Sequence, residues 1–174
     1  MGKWNGRRRR PVSDHDARCT CTCATKALYK RQAEVKQHAA QADIFISVAA
    51  VADYRVEAPS VQKIKKSEDD VQLKLVANPD ILAWVAALPE PPFCVGFAAE
   101  SEKLREYAEE KRRRKKLPLL AANLAQNAIG ADDNEITLFD DDGTHSLPRA
   151  PKTVLARQLV AHIAKLYGAA KRQS

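Results

Sequence analysis

The 174 residues predict an α/β fold, a mostly parallel sheet with flanking helices and added β-hairpins. Three observations carry that expectation. Strand-like and helix-like segments alternate through the middle of the chain, the order that builds parallel strands joined by right-handed crossovers. The strands there are short, nearly continuous apolar runs, as expected for strands covered on both faces. Their exits, at Asp53, at Phe97 to Glu100 and at Asn123, gather on one edge, where open α/β sheets bind ligands.

Residues 1–32 stand apart. They hold nine Lys/Arg against two Asp/Glu, whereas residues 33–174 hold twenty of each, so the whole formal charge of +7 sits at the front. Disorder is expected over about residues 1–25, where Arg7 to Arg10 form a block and no apolar period follows. Two readings of this segment stay open: a basic arm, or an out-of-frame start. A balanced body argues against nucleic acid as a partner, and no apolar run approaches the roughly 18 residues of a membrane helix. Cys19, Cys21 and Cys23 lack the usual zinc spacing, and Cys94 lies in an apolar strand as a small buried hydrophobe. A reducing compartment, the cytoplasm, is expected.

The elements follow in order. Lys26 to Ala42 reads as a helix, and Asp43 to Val48 as the first strand. Ala49, Ala50 and Ala52 then keep side chains short around Asp53, and Lys63, Lys65 and Lys66 follow about ten residues on. This stretch reads either as a nucleotide site with a lysine-bearing flap or as an ordinary strand exit with a solvated lysine run. Val71 to Val76 alternates as a half-exposed strand that residues 61–66 would pair with as a hairpin. Asn78-Pro79-Asp80 starts a helix to about Leu88, with Asn as the cap and Pro at the first position; Ile81, Leu82, Val85 and Ala86 face inward. Phe93 to Phe97 is a second strand. Glu102 to Lys116 is a helix whose acids precede its bases, in accord with the helix dipole. Lys111 and Lys115 continue its apolar stripe with Leu104 and Ala108, either snorkelling at the sheet edge or reaching an anion. Leu117 to Ala122 is a third strand, Ile136–Phe139 and His145–Leu147 bracket a turn, and a last helix runs from Pro151 to about Tyr167 before a frayed tail.

Four of these pieces, in order, resemble the phosphopantothenate–cysteine ligase family, the synthetase half of the bifunctional coenzyme A flavoprotein. They are Ala49-Ala50-Val51-Ala52-Asp53-Tyr54, Lys63-Ile64-Lys65-Lys66, Asn78-Pro79-Asp80-Ile81 and Gly96-Phe97-Ala98-Ala99-Glu100; Lys111 to Lys115, Ala122-Asn123 and Asp133-Asn134 match more loosely, across about residues 34–168. The resemblance implies a Rossmann-like fold in a ligase-type domain over residues 33–174. It implies CTP-dependent joining of 4′-phosphopantothenate to cysteine through an acyl-cytidylate, with magnesium. It assigns CTP binding to Asp53, Lys63, Pro79, Asp80, Ile81, Leu82, Phe97, Lys111 and Lys115. Lys63, on a closing arm, takes the catalytic role, and Ala49, Ala50 and Asn123 fall near the substrates. It also implies a homodimer, with the segment after Asp53 in the interface, and FMN only in a decarboxylase half with which the chain would associate. The family opens with a strand, a Gly-Gly turn and a catalytic Asn. This chain has six glycines, none adjacent, and none between Gly6 and Gly96, so the first βα unit is expected to be missing and turnover alone to be low.

Overall fold

The computed structural model describes residues 21–49, 51–60, 62, 70–128 and 131–172. Helix α1 (Cys21–His38) starts five residues before the expected point and closes in a 3₁₀ turn, Ala39–Gln41. Strand β1 (Ile44–Ser47) follows, then β2 (Tyr54–Val56), β3 (Leu75–Ala77) and helix α2 (Ile81–Ala86). Strand β4 (Phe93–Glu100), helix α3 (Leu104–Arg114), strand β5 (Leu119–Leu124) and the single turn α4 (Ala125–Ala128) form the centre. Strands β6 (Asp133–Asp140) and β7 (Gly143–Pro151) make the hairpin that precedes helix α5 (Lys152–Lys171).

The main sheet has the order β1-β4-β5-β6-β7. Strands β1, β4 and β5 are parallel, and the hairpin extends them antiparallel. The expected α/β class, parallel centre and added hairpin are all present. Alternate side chains of β4 and β5 divide the core in two. Cys94, Ala98, Leu120 and Ala122 meet Ile81, Leu82, Val85, Ala108 and Leu117 on the side of α2 and α3. Val95, Leu119, Ala121 and Leu138 meet Leu159 and Ile163 of α5 on the other. Burial pushes the Cys94 thiol up to about 11, which fits the expected role as a small core residue.

Gly96 shows why this sheet accepts α2 so closely. A Cβ there would lie 2.7 Å from Leu120 Cδ1, 2.8 Å from Leu117 Cδ1 and 3.0 Å from Leu82 Cδ2. Only a bare backbone lets all three leucines meet over β4.

Several local expectations need correction. The partner of β3 is β2, with Tyr54 opposite Ala77, while residues 71–74 are irregular; the expected pairing of residues 61–66 lies, but for Gln62, outside the described residues. The cap of α2 is Asp80, whose Oδ1 accepts from the Ala83 amide at 3.0 Å, not Asn78, and the helix is shorter than expected. The helix after β4 starts at Leu104, and Lys103 before it has φ +45° with no side-chain cap. Val154 of α5 is exposed, and the helix continues to Lys171 where fraying was expected. Its end is tied down: Tyr167 Oη donates to Asp43 Oδ1 at 2.6 Å, and Lys171 Nζ lies 3.2 Å from the same oxygen.

Candidate nucleotide site at the carboxyl edge of the parallel strands

The exits of β1, β4 and β5 lie side by side, because Ser47 pairs with Gly96 and Ala99 with Asn123. The loop after β1 is fastened there by Asn78. Its Nδ2 donates to the Ala52 carbonyl at 2.7 Å, and its backbone amide donates to the Asp53 carbonyl at 2.7 Å. Arg55 Nη1 reaches the Ala77 carbonyl at 2.7 Å and Asn78 Oδ1 at 3.2 Å. Asn78 therefore acts as a staple across 26 positions rather than as a helix cap, and it sets the exposed Asp53 beside the start of α2.

Lys111 of α3 and Lys115, the residue that caps its end, reach this edge. Lys115 Nζ lies 2.7 Å from Asp80 Oδ2, with the lysine side chain only 17% exposed. Lys111 Nζ lies 2.8 Å from Glu100 Oε1 at the end of β4. The apolar stripe of α3 thus leads to two ammonium groups held against carboxylates of the same chain. Burial works to raise the Asp80 carboxyl. The hydrogen bonds from Lys115 and Ala83, with the charges of Lys115 and Arg114, outweigh it and hold the group below the usual carboxylate range. Among the described residues Asp53 has no ion-pair partner.

The residues singled out from the sequence fall in different places. Asp53 is tied through Asn78 to the start of α2, where Asp80 pairs with Lys115, and Lys111, four positions before Lys115, pairs with Glu100. Ile81 and Leu82 are buried in the core and anchor α2. Phe97 lies at the same end of β4, but it packs with the residues on the α5 side of the sheet. Ala49 is exposed after β1, Asn123 is half-buried at the end of β5 with Nδ2 on the Leu124 carbonyl, and Ala50 and Lys63 lie outside the described residues.

Residues 15–167 match the family described as DNA/pantothenate metabolism flavoprotein C-terminal domain. The chain belongs to this family. Among curated relatives, the coenzyme A biosynthesis bifunctional protein CoaBC of Vibrio cholerae is 47% identical over 128 residues, covering 70% of this chain and 32% of the relative. CoaBC of Escherichia coli K12 is 42% identical over 149 residues, covering 82% and 37%. The chain therefore spans about a third of the length of the relatives it matches. In three dimensions it is similar to the crystal structure of a CoaBC C-terminal domain, with a TM-score of 0.65 and 28% identity over 81% of this chain and 63% of that one. A Cab2 mutant in complex with phosphopantothenate–cysteine shares the fold at a TM-score of 0.57 and 18% identity, over 74% and 46% of the two chains. Family membership and the Rossmann-like class thus agree with the resemblance drawn from the motifs.

Sequence reasoning missed two charged residues, one at the site and one in the packing of α3. Glu100 was placed at a strand exit and at the end of a motif but given no role, although an acid there opposite a lysine stripe is a readable signal. Arg112 is buried at 8% exposure within a basic run, where it binds Glu109, the Leu117 carbonyl at 3.2 Å and Asp141 at 2.8 Å. Its one signal was its place four residues after the buried Ala108.

Proposed function

We propose that this domain serves coenzyme A biosynthesis by binding CTP at the carboxyl edge and joining 4′-phosphopantothenate to cysteine. The observation that supports this reading is the convergence of Asp53, Asp80–Lys115 and Glu100–Lys111 in a chain whose relatives are CoaBC proteins. A phosphopantothenate carboxylate oxygen would attack the α-phosphorus of CTP, and the bond to pyrophosphate would break. The cysteine amine would then attack the acyl carbon, and CMP would leave. In this scheme the work of the protein is positioning and charge stabilisation. Lys111 and Lys115 would turn from their carboxylates to the phosphates, and the family resemblance gives the catalytic role to Lys63. Lysine suits both tasks as a compact charge on a long stem.

The carboxylates of Asp53, Asp80 and Glu100 are hard oxygen donors of the kind magnesium accepts beside phosphates. Magnesium, when bound, would neutralise part of the triphosphate charge.

The test is a CTP titration of the chain followed by pyrophosphate release with phosphopantothenate and cysteine. CTP should bind, and Lys111→Ala and Lys115→Ala should each weaken it about tenfold, the loss of one charge-assisted hydrogen bond. Turnover by this chain alone should be low, since it has no adjacent glycines to make the phosphate-cradling turn, and it should rise when the remaining portion of a CoaBC relative is supplied. Binding that ignores both substitutions would sink the assignment.

A second reading, a dimerising module without turnover, is favoured by the exposed apolar residues of the arm: Tyr54, Val71, Leu73 and Leu75 are 56–63% exposed. A dimer on a sizing column that Tyr54→Ser with Leu75→Ser converts to monomer, without CTP binding, would select it.

A further inference from the structure

Three potential metal ligands meet far from the nucleotide edge. Asp140 ends β6, His145 lies on β7 and His162 on α5. Because Phe139 pairs with Leu120 at the start of β5, this cluster sits by the amino ends of the parallel strands, across the sheet from Asp53 and Lys111. Its oxygen and nitrogen atoms all lie within 4.8 Å of one another. His162 Nε2 is 2.6 Å from Asp140 Oδ2, and His145 Nε2 is 3.1 Å from the same oxygen. The two rings are tilted at 55° with centroids 4.7 Å apart.

The surroundings fit a built site. The Asp140 side chain is 1% exposed, and its Oδ1 accepts from the amides of Asp142 at 2.9 Å and Gly143 at 3.0 Å. Those amides fix the carboxylate from behind while Oδ2 meets His162 and His145 Nε2 lies 3.1 Å from both oxygens, the arrangement in which outer hydrogen bonds orient a ligand. His162 is 15% exposed and His145 36%, so one side stays open to water. Two imidazoles, one carboxylate and an open fourth position is a donor set that suits a borderline divalent ion of the zinc class.

We propose that Asp140, His145 and His162 bind one zinc-class divalent cation, locking α5 to the β6–β7 hairpin. To ligate the ion each ring carries its proton on Nδ1 and presents the Nε2 lone pair. Bonds of about 2.0–2.1 Å at tetrahedral angles place ligand atoms about 3.3 Å apart. The two histidine–aspartate spacings reach that value from 2.6 and 3.1 Å by opening less than about 1 Å, and the two histidine nitrogens, within 4.8 Å of each other, close by at most about 1.5 Å.

The experiment uses the chelator-treated full chain with Cys19, Cys21 and Cys23 replaced by serine, so that thiolates do not compete. Cobalt(II) is added as the spectroscopic probe, and zinc is then titrated calorimetrically. One equivalent of cobalt should give the intense visible bands of a four-coordinate site, and zinc should displace it. His145→Gln and His162→Gln should each weaken zinc by at least about 100-fold, beyond the cost of losing an outer partner. Asp140→Asn keeps an oxygen for the turn amides and should do the same while leaving the circular dichroism spectrum unchanged. Absence of the cobalt bands in the unsubstituted site, or zinc affinity that His145→Gln leaves unchanged, overturns the proposal. CTP binding should be unaffected by either histidine change, which separates this site from the nucleotide edge.

Discussion

Replacing Asp80 tests the Lys115–Asp80 link and the α2 cap separately. Asp80→Asn keeps an oxygen for the Ala83 amide but removes the charge that faces Lys115 at 2.7 Å. Exposed pairs contribute about 0.2–1 kcal/mol and breaking a buried one costs about 3–5 kcal/mol. Lys115 is mostly covered, whereas Asp80 is 46% exposed, so the loss falls between these limits. We expect about 1–2 kcal/mol for Asp80→Asn. Asp80→Ala also removes the cap, a further cost of about 1 kcal/mol, for a total of about 2–3 kcal/mol. In a chain of this size each kcal/mol moves Tm by about 2–4 °C, so Asp80→Ala should lower it by roughly 4–12 °C and Asp80→Asn by roughly 2–8 °C. Lys115→Met keeps the stem and loses the charge, and a double-mutant cycle with Asp80→Asn should return a coupling of about 1 kcal/mol. Urea unfolding at neutral pH measures all four species. Equal costs for Asp80→Asn and Asp80→Ala would show that the cap adds nothing. A coupling of zero would show that the ammonium and the carboxylate do not act on each other.

Three further outcomes are expected. Gly96→Ala forces a methyl against Leu120, Leu117 and Leu82 and should destabilise by about 1–3 kcal/mol, read as a lower Tm with the same far-UV spectrum. Arg112→Met leaves the Leu117 carbonyl and Asp141 without the Arg112 donor and Glu109 with Arg113 alone, at about 1.5–3 kcal/mol; Arg112→Lys should rescue only part, since it cannot span the three acceptors. Acid should unfold the chain through depressed carboxyls. The hydrogen bond from Arg112 holds Glu109 below its usual range, and Lys115 helps to do the same for Asp80. A lowered folded pKa gives stability that is complete above the unfolded values, about 3.9 for Asp and 4.3 for Glu, and is lost as pH falls through and below them. Unfolding at fixed urea should therefore be flat near neutrality and steepen below about pH 4, and Asp80→Asn should flatten that limb.

What the sequence revealed depended on range. Strands β1, β4 and β5 were legible because each is an apolar run whose period needs no partner. The identity of the α2 cap was not: Asn78 and Asp80 are both capping types, and the choice rests on Asn78 finding Ala52, a contact 26 positions away. The same distance hid β2, whose three residues become a strand only by pairing with Leu75–Ala77. At the candidate site the lysine stripe of α3 was readable from spacing, but its carboxylate partners were not, because Glu100 and Asp80 meet it through the crossover. Asp140, His145 and His162 come from a hairpin turn and a later helix, and no local pattern joins them.

Strand β1 has one neighbour, β4, among the described residues, and Ile46 and Val48 near its end are 41% and 62% exposed. A row of free amides and carbonyls beside uncharged apolar side chains is a template on which another chain can continue the sheet. Self-association should therefore grow with protein concentration. A charge placed on the outward side of this strand, as in Ile46→Lys, should suppress it while leaving the interior packing intact.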